Sequence, residues 1–559
     1  MPGPDPAAAA LAAAAPASPF RRPLFRAVWI ASTASNLGSL VQTVGASWLM
    51  LSLGASATLV ALVQAATALP VMLLALFAGA LADSHDRRTL MLGAQVFMLL
   101  VSALLAWCAW RGWVSPWSLL LFTFLIGCGQ AFNGPAWQAA VGDMVPRQEL
   151  PAAVALNSMG FNVARSVGPA LGGAIVAAAG AAVAFLFNAL SYVGIVLVLA
   201  RWRPPPVVHV LPREPLVSAI TAGIRYVAMS PALLTVLLRG ALFGLAASAV
   251  LALMPVLAKS GLGGGPLVYG TLLGAFGVGA VAGALLGGRL RRRLSSEALV
   301  RLAGAAFALA LLLAGWASTL ALALPALLVC GAGWVLVLST LNVSVQLSAP
   351  RWVVARALSI YQMATFGGMA LGSWLWGAVA ATQGSGTALM IAGLALLPGA
   401  VLVGLWLPLR STADLNLDLD EQWQVPSTTM PLEPRSGPVV ISIEYRIAES
   451  DTLDFLRVMH ERRRSRRRDG ARRWRLLRDL VDPELWTERY ETPTWLDYLR
   501  LNHRITHDDA RLTAAIRALH QGSEPPRVRR RLERQTSSVP SGPIRAASDP
   551  PEPAEPMGN

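Results

Sequence analysis

Acidic side chains are scarce over most of this chain. Of its 31 Asp and Glu residues only seven precede Arg410; Asp83, Asp86, Asp143, Glu149, Glu214 and Glu297 fall at the ends of apolar runs or between them, and Asp5 lies near the start. A carboxylate inside an apolar run is a common carrier of protons through a low-dielectric layer, because desolvation brings its pKa into range. That device is excluded here, and histidine does not replace it, since His85 and His209 also lie between runs. Cysteine is equally sparse. Cys108, Cys128 and Cys330 show no CxxC spacing, which excludes a disulfide framework and a cysteine metal site. Charged residues make up only 14% of the chain against 55% hydrophobic residues, too few for an ordinary soluble enzyme. Residues 1–20, MPGPDPAAAALAAAAPASPF, lack the basic start and strongly apolar centre of a signal peptide and read as a disordered leader.

What the chain has is apolar length. Runs long enough to cross the hydrocarbon of a bilayer, about 20 residues each, recur between short polar breaks. They cover 27–52, 57–82, 90–110, 117–141, 152–178, 182–200, 230–257, 267–288, 298–317, 321–346, 354–381 and 387–407. The pattern predicts an all-α membrane protein of twelve transmembrane helices, followed by a charged appendage from Arg410 onward. Arginines cluster in the N-terminal segment (Arg21, Arg22, Arg26) and in the even-numbered loops, whereas the odd loops hold Arg111 and Lys259. By the positive-inside rule both termini are cytoplasmic. Much of the net charge of +15 is this bias plus an arginine-rich tail, which points to membrane lipids as the partner and not to nucleic acid.

The runs also repeat. GALADSHDRR (79–88) and GALLGGRLRR (283–292) lie 204 positions apart, and the windows starting at Pro146 and Pro350 keep the same offset without gaps. Gly168/Gly372, Gly173/Gly377 and Gly180/Gly384 coincide in the second window. We read an internal duplication: six-helix repeats at 21–203 and 224–409, joined by a cytoplasmic loop at 204–223 and related by an axis along the membrane normal.

Twelve helices in parallel repeats, with Gly79, Leu81, Asp83, Arg87 and Arg88 between the second and third, resemble the major facilitator superfamily. SNLGSLVQTVGASWLMLSL in the first span and NVARSVGPALGG in the fifth resemble its bacterial exporter branch, the transmembrane secretion effectors typified by the enterobactin exporter. The resemblance implies a multi-pass protein of the bacterial cytoplasmic membrane that is no enzyme and needs no cofactor. It implies export of a siderophore, secondary metabolite or drug-like compound by alternating access, with protons as the coupling ion. It further implies that Asp83 meets the start of the eleventh span and that Arg87 pairs with Asp143. At the repeat positions both acids are lost, to Gly287 and Leu347, while Arg291 and Arg292 persist. Two readings are open: a one-sided latch that is also the protonation site, or ordinary loop charges. A non-transporting membrane sensor is the rival for the whole.

Polar residues on the helices that the resemblance makes cavity-lining are Asn36, Gln42, Gln130, Asn133, Asn162, Tyr361 and Gln362. Amides there can orient a small-molecule cargo, and they also join membrane helices to one another. Arg165 and Arg239 stand at membrane depth, where a bare charge is expensive. They are either receptors for an anionic cargo or structural arginines. Gly168, Pro169, Gly172 and Gly173 resemble the helix-packing motif of antiporters, with proline able to bend the helix and glycine allowing close approach.

After a linker (410–437), residues 438–534 alternate strand and helix patterns in the order βαββαβ, with a further helix through Leu519, a ferredoxin-like α+β arrangement. This domain resembles the antibiotic biosynthesis monooxygenase group of dimeric α+β barrels. The resemblance implies a dimerising or cargo-sensing module that would make a homodimer, the alternative being an active cofactor-free oxygenase. His460, His503, His507, Trp474 and Trp486 show no spacing that fixes a metal, nucleophile or flavin site. The run ERRRSRRRDG (461–470) is expected to be a solvated helix face, the alternative being a site for lipid headgroups, and residues 535–559 a disordered tail.

Overall fold

A computed structural model gives the fold and describes residues 19–84, 86–145, 149–203, 216–350, 352–409 and 425–533, with 417 and 423. Contacts divide the chain into two units. The first is Met1–Ile220, Leu234–Val345 and Arg356–Ser411, and the second is Thr221–Leu233, Gln346–Ala355 and Thr412–Asn559.

The first unit is built on helices. In chain order they are α1 (Pro23–Ser52), α2 (Ala57–Ser84), α3 (Arg87–Trp110), α4 (Pro116–Met144) and α5 (Leu150–Arg201); a short α6 (Leu216–Ala228) follows; then come α7 (Pro231–Val256), α8 (Pro266–Arg293), α9 (Ser296–Trp316), α10 (Leu320–Leu347), α11 (Val354–Gln383) and α12 (Ser385–Trp406). Pro23, Pro116 and Pro266 open three of them, where a missing N–H costs nothing. Among the described residues, eight helices are long and apolar enough to cross a membrane. The 30-residue helices α1 and α11 are outside that set because Asn36, Ser39 and Gln42, and Tyr361, Gln362 and Ser373, dilute their hydropathy.

Helix α5 runs through two of the expected spans and breaks where the sequence separates them, at Gly180, whose φ is 81°. Its repeat partner Gly384, between α11 and α12, has φ 86°. An L-residue in this left-handed region sets its Cβ against the carbonyl oxygen, which is why glycine stands at both joints.

In the second unit β1 (Val439–Arg446), α13 (Thr452–Asp469), β2 (Arg472–Arg478), β3 (Leu485–Thr492), α14 (Trp495–His503), α15 (His507–Leu519) and β4 (Arg527–Leu532) form an antiparallel sheet in the order β2-β3-β1-β4. The order of strands and helices is the one expected from the sequence patterns, with the added helix ending at Leu519. One sheet face packs with the helices around Ile441, Ile443, Tyr445, Phe455, Tyr490 and Tyr498. Expectation fails on the arginine run. Arg462, Ser465, Arg466 and Asp469 are buried, because every fourth residue of α13 turns toward the sheet and meets acids there. Arg468 pairs with Asp469 and Asp509 at 3.0 and 3.1 Å, and Arg462 donates to Thr513 at 2.7 Å. The unit also takes in residues before the seventh span and after the tenth: Arg464 donates to the Met229 carbonyl, Arg468 lies over Tyr226 at 4.9 Å, and Arg504 lies over Trp352 at 4.0 Å.

Candidate functional site

Glycine decides where several of the helices touch. Gly173 on α5 lies against Gly270 on α8 so closely that a Cβ on either would come within 3 Å of backbone atoms of the other helix. Gly377, the repeat partner of Gly173, lies in the same way against Thr58 and Ala61 on α2, and its carbonyl accepts from Thr58 Oγ1 at 3.1 Å. Both contacts stand toward the odd-loop end of their helices, where Lys259 also donates to the Leu51 carbonyl at 3.4 Å. Within the motif, Gly168 faces Leu40 and Gly172 faces Val41 and Val44, so α1 packs on one side of it and α8 on the other. Pro169 sits inside α5, and its carbonyl lies 2.8 Å from where a Cβ on Gly270 would stand.

Below this contact the amides separate into distinct groups. Gln42 is buried and accepts from Ser102 at 3.1 Å and from Asn188. Asn188 reaches Tyr192 at 3.3 Å, and Tyr192 in turn meets Ser39 and Gln130. Helices α1, α3, α4 and the second half of α5 are thus joined by one polar network. Sequence reasoning found Gln42 and Gln130 in it but missed Ser102, Asn188 and Tyr192. Asn188 and Tyr192 are four residues apart in an apolar run, which was the available signal. Asn133 belongs to a separate pair with the buried Gln95 at 3.2 Å. Tyr361 donates to the Leu338 carbonyl at 3.3 Å, and Gly240 leaves room for its ring. Asn36 and Gln362 are half-buried with no hydrogen bond recorded among the described residues.

The two deep arginines differ. Arg239 is buried and grips Glu297 with both terminal nitrogens, one at 3.2 Å, while Glu297 also accepts from the Leu409 backbone N–H at 3.0 Å. Its charge is matched by an acid that sequence alone places at a span end. Arg165 lies over the Phe161 ring at 4.9 Å, and among the described residues no carboxylate pairs with it.

At the even-loop end, Asp86 caps α3: it accepts from the Arg88 N–H at 3.1 Å and from Thr89 Oγ1 at 2.8 Å. Arg88 donates to the carbonyls of Leu199 and Ala200 at 2.9 and 2.7 Å, satisfying the last turn of α5. Arg87 is engaged and is no free charge. A Cβ on Gly79 would stand 3.0 Å from Ser359, so α2 and α11 come close here as well. The side chains of Asp83, Asp143 and Asn162 lie outside the described residues. Arg22 pairs with Glu149 at 2.9 Å and holds its carboxyl below the usual range, tying the N-terminal segment to the start of α5. Leu81, Leu90, Phe97, Cys128 and Phe132 line an apolar cavity of 650 Å³ between α2, α3 and α4.

Residues 14–538 match the family described as transmembrane secretion effector. The staphyloferrin A transporter of Staphylococcus aureus (strain NCTC 8325 / PS 47) is 30% identical over 157 residues, 28% of this chain and 40% of that transporter, so the match spans less than half of the relative. The enterobactin exporter EntS of Escherichia coli O1:K1 / APEC is 28% identical over 341 residues, 57% of this chain and 78% of EntS. Among solved structures, an inward-facing bacterial homolog of the human lysosomal transporter Spinster shares the fold at TM-score 0.56 and 16% identity, over 69% of this chain and 97% of that one. The POT family transporter PepTSo does so at TM-score 0.57 and 14% identity, over 69% and 97%. The matched family covers both the helical body and the sheet-bearing second unit, and so the chain belongs to the transmembrane secretion effector family of major facilitator transporters.

Proposed function

We propose that the protein is a secondary active exporter of the bacterial inner membrane, with twelve crossings and both termini in the cytoplasm. It moves a small anionic or hydroxyl-rich molecule of the siderophore class outward as protons enter. The observation that carries this reading is the pair of glycine contacts, Gly173 on α5 against α8 and Gly377 on α11 against α2. Contacts without intervening side chains can part and re-form with little repacking, as alternation between two closed ends requires. Standing at the odd-loop end, which the proposed topology sets outside, they are the contacts we assign to the outer gate. The staphyloferrin A transporter and the enterobactin exporter EntS, both similar to this chain, supply the cargo class.

Arg165 is the residue we assign to the cargo's negative charge, and Asn36, Gln130 and Gln362 to its hydroxyls. Arg239, neutralised by Glu297, is assigned to structure. The coupling protons are assigned to Asp83 and Asp143, since no span interior carries an acid.

The test is efflux of ferric-free enterobactin and a citrate-type siderophore from proteoliposomes under an imposed pH gradient. We expect gradient-driven efflux by the parent, loss in Gly173→Leu, loss of gradient dependence in Asp83→Asn, and selective loss of the citrate-type cargo in Arg165→Gln. Flux that ignores the gradient would remove the proton reading. A Gly173→Leu protein that transports like the parent would show that the glycine contact is no gate.

A further inference from the structure

The sheet of the second unit has two unlike faces. Val439, Ile441, Ile443 and Tyr445 of β1 and Trp486, Tyr490 and Thr492 of β3 pair across the strands on the face that the helices cover. The opposite face follows from the two-residue period of a strand. It carries Arg446 from β1, Arg472 and Arg475 from β2, Arg489 from β3, and Arg527, Arg529 and Arg531 from β4, with Arg473 at the bulge between Arg472 and Arg475 and with Glu444 and Glu491 as its acids.

Three of these eight arginines are neutralised: Arg446 pairs with Asp482 at 2.6 Å, and Arg473 with Glu491 and Arg529 with Glu444, each at 3.4 Å. Arg472, Arg475, Arg489, Arg527 and Arg531 are exposed and have no ion-pair partner among the described residues. The register is the second observation. Arg475 stands directly opposite Arg489, Arg489 is opposite Ser442, and Ser442 is opposite Arg529. Three guanidiniums thus share one row across four strands, a span of about 14 Å at the usual strand spacing. Like charges facing each other across a sheet are destabilising. An external array of negative charge would relieve that opposition.

We infer that this outer sheet face is a docking surface for a bilayer rich in anionic headgroups. Several observations choose this partner. The face bears no aromatic side chain for bases to stack on, which speaks against single-stranded nucleic acid. A second copy presenting the same face would set arginine against arginine. A flat field of unpaired cations complements a headgroup plane, and the chain carrying it also carries membrane-length helices. On the cationic helix α13, Arg462, Arg466 and Arg468 are spent on buried acids, which leaves Arg463, Arg464 and Arg467 exposed as the rival surface that the control below tests.

The experiment uses the full chain in phosphatidylcholine nanodiscs, mixed with vesicles of pure phosphatidylcholine or of phosphatidylcholine with phosphatidylglycerol and then floated. Binding is expected only to the anionic vesicles and is lost in high salt. Arg475→Gln/Arg489→Gln/Arg531→Gln should weaken it about hundredfold, from the usual contribution of a cation near an anionic surface. The charge-matched control Arg463→Gln/Arg467→Gln/Arg517→Gln, on exposed helix positions of the same domain, should bind like the parent. Equal loss in both triples, or binding that ignores phosphatidylglycerol, overturns the inference. So does tight binding of a structured RNA that disappears in the sheet triple alone, or self-association of the discs through that face. If the triple fails to fold, Arg489→Gln alone replaces it and should weaken binding while raising thermal stability; unchanged binding then overturns the inference.

Discussion

Glu488 shows how far a single residue can be read from sequence. Burial alone would push its carboxyl up, yet the guanidiniums of Arg462 and Arg466 and hydrogen bonds from Trp474 and Tyr445 outweigh that and hold it below the usual range. Asp509 is held low by Arg468 and Ser465 in the same way, against its own burial. A carboxyl whose folded pKa is depressed adds stability that is present above its ordinary value and is lost as pH falls through the folded one. The second unit should therefore lose protection in hydrogen exchange at β3 as pH drops below about 4. Burial raises Asp469, and its ionisation works in the opposite direction. Glu488→Ala strands two buried cations and should cost about 3–5 kcal/mol. A change in exchange at β3 no larger than that of a surface variant such as Glu524→Ala would contradict this. The signal was in the sequence. Trp486, Glu488 and Tyr490 fall on one face of an alternating strand, and Arg462 and Arg466 are one helical turn apart. Reading the run of arginines by its composition, and not by its period, hid their burial.

At the scale of the element, the joints were legible and the partners were not. Spans 152–178 and 182–200 leave a gap that α5 fills with one left-handed glycine, and the fixed offset already paired that glycine with Gly384. Nothing lies within 4 Å of a Cβ on Gly180, so its replacement is a test of backbone alone. Gly180→Ala should lower stability by about 1–2 kcal/mol, the usual cost of forcing an L-residue into that region, with Gly384→Ala costing the same. Thermal unfolding in detergent of Gly180→Ala beside Gly288→Ala, a helical glycine equally free of neighbours, separates strain from bulk. Equal behaviour of the two would show that the break is not strained. The network of Gln42, Ser102, Asn188 and Tyr192 was only half visible, because polar residues in apolar runs announce that they need partners without saying which.

For the whole molecule, a change of period led the sequence reading to expect a sheet domain after the helices, and the four-stranded sheet of the second unit is that domain. The sequence did not predict that residues 221–233 and 346–355 belong with the sheet domain, because those contacts pair residues far apart in the chain with no periodicity to betray them. The odd-loop contact supplies a test at this scale. Ser52 and Lys259 are exposed neighbours of the bond from Lys259 to the Leu51 carbonyl. In a background with Cys108, Cys128 and Cys330 replaced by Ala, a short bismaleimide joining Ser52→Cys to Lys259→Cys should stop efflux, with singly substituted proteins unaffected. Undiminished flux after complete cross-linking would show that this end need not open.

The left-handed joints carry a consequence about inheritance. Gly180 and Gly384 exclude an L side chain, a requirement that no change in neighbouring side chains can relax. Asp83 and Asp143 have no acidic counterpart 204 positions on, where Gly287 and Leu347 stand. A mirror-image alanine made by chemical ligation would be accepted at either joint where the ribosomal one is not. Two stretches 204 positions apart can thus differ in every charge they carry and still share the handedness of a single bend.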